Sequence, residues 1–344
     1  MTAVGKTPEQ IAEDKIESEL ERQGWEQIDS DANRTGYSKY VGLPNGKEAD
    51  YVLYLSGRPV AIIEAKRESK KPRNHLQQAR NYAKVITGTK KFKNTYAVPF
   101  VFASNGEEIV IDDLREGTPG IRTIRSFYSS EDISRRLSLN IESGLDWLGS
   151  HTHEDTDKEL WENQREALAN IKESIQNRDH RILVSMATGS GKTRLAMALT
   201  YQLLESGYAG RVLFVPDTEQ LERDALQAFQ SYDPLGAPRF SDKYITRDFD
   251  KYRDAGNADV VVSTIQKAHY ELKENEESCS VGEFDVVIAD ECHRGIYNSE
   301  EGYGKVLDYY DSVEIGLTAT PPPEDTTTLQ QQSRLQLRLS PGVR

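Results

Sequence analysis

RILVSMATGSGKT, Arg181 to Thr193, is the stretch from which the fold follows. Ile182, Leu183 and Val184 form an apolar run of strand length, two glycines punctuate a short loop, and RLAMALTYQLL, Arg194 to Leu204, continues as a helix. A loop in this setting turns its backbone N–H groups around an anion at a helix N-terminus. Thr188, Gly189, Ser190 and Gly191 are then expected to wrap a phosphate chain, Lys192 to reach the β- and γ-phosphates, and the Thr193 hydroxyl to ligate Mg²⁺. Glycine is required because a side chain would block the backbone's approach to the anion. The eight-residue pattern ordinarily opens with glycine, and Met186 stands there instead. The alternative is a solvated turn with an incidental lysine; the strand before and the helix after favour the phosphate loop.

Outward from this loop, apolar strands alternate with helices. RVLFVP (Arg211 to Pro216), DVVVST (Asp259 to Thr264), DVVIADE (Asp285 to Glu291) and VEIGLTAT (Val313 to Thr320) are apolar almost throughout. Such runs, separated by helices, imply a parallel sheet covered on both faces, an α/β fold. Open α/β sheets place ligands at the carboxyl ends of their strands. Asp290 is therefore expected to hold the Mg²⁺ that bridges the β- and γ-phosphates, and Glu291 to orient or deprotonate the attacking water. Asp290-Glu291-Cys292-His293 resembles the second motif of DEAD/DEAH-type superfamily 2 helicases, and Thr318-Ala319-Thr320 resembles their third, which couples nucleotide state to nucleic-acid grip. The resemblance implies a RecA-like motor domain using ATP, with Gln164 as an adenine contact; a plain surface glutamine is the alternative.

The chain has 344 residues, enough for two cores, and a net charge of −13. No run of 18 apolar residues exists, so no membrane partner is expected. Its two cysteines, Cys279 and Cys292, form neither a disulfide framework nor a zinc pattern, which suits a reducing cytoplasm. His151 and His153 have no companions at zinc spacing. The acidic balance argues against a polyanionic partner, but it is uneven: between Arg58 and Lys93 there are eleven Lys/Arg against two Glu.

In the first third, Thr7 to Gly24 reads as a capped amphipathic helix with Ile16 and Leu20 inward. Ala49 to Lys66, ADYVLYLSGRPVAIIEAK, reads as a β-hairpin turning at Ser56-Gly57-Arg58-Pro59. A three-residue loop would set Asp50 across from Glu64, with Lys66 on the same face two residues on. Two carboxylates and an ammonium at one sheet edge suit phosphodiester hydrolysis: Asp50 and Glu64 for Mg²⁺, Lys66 for the water or the developing charge. Three ordinary charges at a strand end are the alternative. Beyond them lie Lys70, Lys71 and Arg73 in a basic loop, then a helix with Gln78 and Tyr82 on one face, all expected to contact a DNA backbone.

Asp50, Glu64-Ala65-Lys66 and Gln78-x-x-x-Tyr82 together resemble the PD-(D/E)xK nuclease domain of type I restriction enzyme R subunits, a mixed-sheet fold. The resemblance implies a further acidic metal residue on the preceding helix, matched here by Glu13. It also implies ATP and Mg²⁺ as cofactors, double-stranded DNA as substrate, and methylation and specificity subunits as partners. The expected organisation is a nuclease domain over 1–128, a polar connector over 129–159 with a short helix around Ile141 to Leu148, and the first motor domain over 160–323. Asp217-Thr218 departs from the Asp-Arg common in that motor. The tail, 324–344, has no strand or helix periodicity, and a truncated product lacking the second motor domain is expected. Two rivals remain: a motor with a non-nucleolytic DNA-binding module, and a non-catalytic protein that only binds DNA or partner subunits.

Overall fold

A computed structural model describes residues 6–30, 32–86, 91–115, 120–150, 160–234, 237–275, 279–292, 303–319 and 335–338. His151, His153, His293 and Thr320 lie outside them. The chain forms two compact units, Met1–Ser138 with Ser280–Gly282, and Leu139–Cys279 with Glu283–Arg344.

The first unit runs α1 (Pro8–Arg22), β1 (Gly36–Gly42), β2 (Glu48–Leu55), β3 (Arg58–Ala65), α2 (Leu76–Val85), β4 (Phe100–Ser104), β5 (Ile109–Asp113), β6 (Ile121–Ile124) and α3 (Ser130–Ser138). Helix α1 begins as its sequence dictates. The Thr7 hydroxyl accepts from Gln10 N, the Gln10 side chain accepts from Thr7 N, and Pro8 needs no partner for the N–H it lacks. Ile16 and Leu20 are buried, and Gly24 ends the helix at φ +78. The six strands lie in chain order in a mixed sheet, antiparallel except for β3 beside β4. Two neighbouring parallel strands need a crossover, and α2 provides it. Val52, Ile62, Val101, Ala103 and Val110 pack with Leu76, Ala79 and Ala83 of α2 in one core.

The β2–β3 hairpin differs from the expected one in an instructive way. Its loop has two residues, Ser56 and Gly57, both at positive φ, and it pairs Leu55 with Arg58. That register alone would set Asp50 beside Ile63, on the wrong face. The ladder then shifts by one between Leu53 and Tyr54, where Leu53 pairs with Ala61 and Tyr54 with Pro59, leaving Val60 as the extra residue of a bulge. Beyond the bulge Tyr51 pairs with Ile63. One further step of that register places Asp50 across from Glu64.

The second unit runs α4 (Ile141–Ser150), α5 (Glu162–Gln176), β7 (Arg181–Ser185), α6 (Lys192–Glu205), β8 (Val212–Val215), α7 (Glu219–Ser231), α8 (Phe240–Lys243), β9 (Thr246–Asp248), α9 (Phe249–Ala255), β10 (Val260–Val262), α10 (Ile265–Glu274), β11 (Val286–Ala289), α11 (Tyr303–Leu307), β12 (Val313–Thr318) and β13 (Leu335–Arg338). Its seven strands are all parallel, in the order β13-β7-β12-β11-β8-β10-β9. Strands β8, β10 and β11 are buried throughout, as covered parallel strands must be. Helix α4, in the stretch read as a connector, packs Leu145 and Leu148 into this core. Two strands go beyond the sequence reading. Strand β9 has three residues, too few for a pattern, and β13 lies in the tail read as unstructured. An edge strand needs only backbone pairing, so sequence periodicity need not announce it.

Candidate functional site

Two sets of side chains correspond to the expected chemistry, one in each unit. In the first unit, β2 and β3 bring Asp50, Glu64 and Lys66 together. Glu64 is fully buried, and Lys66 Nζ donates to its Oε1 while standing 4.0 Å from Asp50 Oδ2. Asp50 Oδ2 also accepts from Ala65 N at 2.7 Å, which fixes its rotamer. Burial pushes the Glu64 carboxyl up to about 7, with the Asp50 charge adding to the rise and Lys66 and Gln78 opposing it. Burial likewise raises Asp50, against the pull of the Ala65 N–H and Lys66. Glu64 Oε2 is buried without a hydrogen bond among the described residues. A buried, unsatisfied carboxylate oxygen beside a second carboxylate is the donor set that a hard divalent cation satisfies, so Asp50 and Glu64 fit Mg²⁺.

Glu13 is placed differently from the expectation that it joins them as a ligand. Among the described residues no three carboxylate, imidazole or thiol groups are gathered closely enough to hold a metal. Glu13 Oε2 instead accepts from the Tyr40 hydroxyl at 2.6 Å and stands 3.8 Å from Lys39 Nζ. The reason lies in α1, whose Glu13 and Glu17 both face Lys39 of β1; Lys39 reaches Glu17 at 2.5 Å. Sequence reading missed Tyr40 and Lys39. Their signal was the β1–β2 register, which sets Tyr40 across from Asp50, between the pairs Lys39–Tyr51 and Val41–Ala49.

Lys70, Lys71 and Arg73 are exposed and have no ion-pair partner among the described residues. Asn105, in the β4–β5 turn, steadies the start of this basic loop by donating to Glu68 O and Lys70 O, both at 3.0 Å. Gln78 is exposed and donates to the Tyr82 hydroxyl at 2.8 Å. Tyr82 itself is buried in the core of the unit. Its expected contact with DNA is thus corrected: the ring packs and the hydroxyl fixes Gln78, whose amide also comes close enough to Glu64 to oppose the rise in its pKa.

In the second unit the strand order supplies the logic. β7, β12 and β11 are neighbours, so the phosphate loop, Thr318 and the Asp290-Glu291 pair lie at the carboxyl ends of three adjacent strands. Met186 N donates to Thr318 O at 2.8 Å, and Cys292 N to Leu317 O at 3.1 Å. Ala319 follows Thr318 directly. Gly189 and Gly191 lie at φ +76 and +79, and Ser190 Oγ is buried without a partner among the described residues. A loop with left-handed glycines, open space at Gly189 and an orphaned hydroxyl suits a phosphate chain. Thr193, on the first turn of α6, is half-buried beside it. The Met186 departure costs nothing there: its side chain is buried in the core, and no positive φ demands glycine.

Lys192 Nζ pairs with Glu291 at 2.9 Å, and Glu291 N donates to Asp290 Oδ1 at 2.9 Å. Glu291 sits at φ +49, a left-handed backbone that a non-glycine residue adopts at a cost of about 1–3 kcal/mol. Burial raises the Asp290 carboxyl above its usual range, opposed mainly by Lys192. Gln164, expected as an adenine contact, is engaged with the phosphate loop. It is buried, its Oε1 accepts from Trp161 N at 2.9 Å, and its Nε2 donates to Ser190 O at 2.9 Å and Gly191 O at 3.2 Å. Both ends of the amide are spent on backbone, so Gln164 braces the phosphate loop. Thr188 is exposed.

Comparison with known proteins covers both units. The family described as "Type III restriction enzyme, res subunit" matches residues 157–323, and that described as "Type I restriction enzyme EcoKI endonuclease subunit second domain" matches 38–137. The EcoKI endonuclease subunit of Escherichia coli (strain K12) is 24% identical over 89% of the chain and 32% of its own length. The EcoAI endonuclease subunit of Escherichia coli is 29% identical over 80% of the chain and 33% of its own length. The chain thus spans about a third of these curated relatives. Among solved structures, a fragment assigned to the HsdR subunit of a type I restriction enzyme from Vibrio vulnificus YJ016 aligns over 96% of the chain and 58% of its own, at 20% identity and a TM-score of 0.36. The SWI2/SNF2 ATPase core of Sulfolobus solfataricus aligns over 48% of the chain and 33% of its own, at 16% identity and a TM-score of 0.38.

Proposed function

We propose that the chain is an endonuclease (R) subunit of the type I restriction enzyme family, its first unit a Mg²⁺-dependent DNA nuclease and its second an ATP-binding motor domain, a reading supported by the matches over both units. The observation that carries the nuclease reading is the buried Glu64 carboxylate, with one unsatisfied oxygen, beside Asp50 and Lys66. Asp50 and Glu64 would hold the metal, which supplies charge to a phosphodiester oxygen and lowers the pKa of a bound water. Lys66, already at both carboxylates, is positioned to hold that water or to meet charge developing on the phosphate. The sheet keeps these groups rigid, since each sits on or directly beyond a paired strand.

In the second unit, Lys192, Thr193 and the N–H groups of residues 188–191 are proposed to take the β- and γ-phosphates with Mg²⁺. Asp290 would help hold the metal. Lys192 must leave Glu291 to reach a phosphate, which frees Glu291 to orient water. Thr318, bonded through its carbonyl to Met186 at the mouth of the loop, supports a coupling role for residues 318–320. Translocation along duplex DNA, assembly with methylation and specificity subunits, and action in the cytoplasm belong to the same proposal.

A second reading, a motor with a non-nucleolytic DNA-binding module, draws on Glu13 standing with Tyr40 and Lys39 instead of with Asp50 and Glu64. Divalent-dependent nicking of supercoiled plasmid, by the purified chain and by a complex rebuilt with partner subunits, separates the two. Asp50→Ala, Glu64→Ala and Lys66→Ala should each abolish cleavage and leave nucleotide binding intact. Near-normal cleavage by Glu64→Ala would refute the nuclease reading.

A further inference from the structure

Tyr40 has three unusual properties at once. It lies inside β1 yet adopts φ +50, a left-handed backbone that strands do not use and that a bulky residue tolerates only under constraint. The residue is 48% exposed, the only aromatic of the described first unit left so open. By register it stands across from Asp50, which in turn stands across from Glu64.

The constraint that holds it is local and polar. The hydroxyl donates to Glu13 Oε2 at 2.6 Å, and the Lys39 ammonium lies 5.3 Å from the centre of its ring. Lys39 is fixed in turn by Glu17 at 2.5 Å, and Glu17 accepts from the Tyr51 hydroxyl at 3.2 Å. Both contacts on Glu13, from Tyr40 and Lys39, fall on the same oxygen, Oε2. Oε1 has no hydrogen bond or ion pair among the described residues, and it is the oxygen left to act.

We propose that Tyr40 is a positioning residue of the nuclease site: it anchors Glu13 through Oε2, so that Glu13 serves from outside the Asp50–Glu64 ligand pair and accepts, through Oε1, from a water on a divalent cation. The inference rests on the nuclease reading and refines it, for it removes Glu13 from the direct ligands and adds a tyrosine that sequence motifs do not name. Partners of this outer kind orient what the ligands hold and affect metal affinity or activity about 10–100-fold. The left-handed backbone has a use here. A tyrosine in regular strand geometry at this position would follow the alternation of β1, whereas the turned residue directs its phenol toward α1.

The test is Mn²⁺ binding to the full chain, by calorimetry, without nucleotide or DNA. The binding component lost in Glu64→Gln identifies the nuclease site. Tyr40→Phe, which keeps the ring and its contact with Lys39, should weaken that component about tenfold without changing the melting temperature. Glu13→Gln should weaken it similarly, and the double variant Glu13→Gln/Tyr40→Phe should be no worse than Glu13→Gln alone. Tyr40→Gly, whose backbone accepts positive φ, should melt no lower than the native chain yet show the same loss of affinity. Native Mn²⁺ affinity in Tyr40→Phe, or additive losses in the double variant, would overturn the role of Tyr40 and leave the nuclease reading standing. Unaltered binding in Glu64→Gln would overturn both.

Discussion

Lys192 and Glu291 form an ion pair at 2.9 Å across the carboxyl end of the parallel sheet, joining the phosphate loop to the segment after β11. The lysine proposed to meet phosphate is thus held by the carboxylate proposed to meet water. Nucleotide must compete for that lysine. Glu291→Gln should therefore tighten ATP binding several-fold, in line with about 1 kcal/mol for a partly exposed pair. Lys192→Ala should weaken it at least tenfold. Titration with a fluorescent nucleotide reads both, and weaker binding by Glu291→Gln would contradict the competition.

Gln164 yields a prediction that distinguishes bracing from base recognition. Its Nε2 holds the carbonyls of Ser190 and Gly191, and a Cβ on Gly191 would fall 2.1 Å from that nitrogen. Gln164→Ala should reduce affinity for ATP, GTP and inorganic triphosphate by the same factor. A loss confined to ATP would restore the adenine contact. Gly191→Ala should abolish binding, since φ +79 and the close amide both oppose a side chain.

Met186 invites a repair that should fail. Replacing it with the glycine usual at this position removes a buried side chain from the core of the second unit. Met186→Gly should destabilise that unit by about 3 kcal/mol, the scale of large-to-small core substitutions. Denaturant unfolding measures it, and an unchanged midpoint would show that the side chain contributes no packing.

The Glu64 carboxyl, raised to about 7 from 4.5, sets a pH window for stability. Between these values the folded chain holds a proton that the unfolded chain has lost, so this group makes stability fall as pH rises through the window. Its stabilising effect is full below 4.5 and lost above about 7. The limit is on the order of 3 kcal/mol at about 1.36 kcal/mol per pKa unit. In chelator-treated buffer, Glu64→Gln should melt higher than the native chain at about pH 8, and the gap should close toward about pH 5. A gap independent of pH would show that Glu64 is ionised throughout.

Lys70, Lys71 and Arg73 should act on DNA affinity through charge alone. Replacing all three with alanine should weaken binding equally across sequences and lower the log–log salt slope by about 2–3, because each phosphate neutralised contributes about 0.9 to it. An unchanged slope would mark the loop as a solvated surface.

By itself the sequence determined what is local or periodic. The strand-loop-helix around Lys192, the covered parallel strands and the capped α1 follow from apolar runs, caps and glycines within a few residues of each other. Asp290 and Thr318 were legible because they terminate such runs. What only tertiary structure decided are relations whose partners are distant in the chain. Asp50 meets Glu64 through a bulge at Val60 that no turn residue announces, because a one-residue slip in a ladder leaves the composition of both strands unchanged. Gln164 reaches the phosphate loop because its amide finds backbone partners at Trp161 and, 26 and 27 residues on, at Ser190 and Gly191. Glu13 went to Tyr40 and Lys39 because the placement of α1 against β1 depends on long-range packing. Spacing along the chain picks out the candidate groups; the geometry of packed strands and helices assigns them their partners.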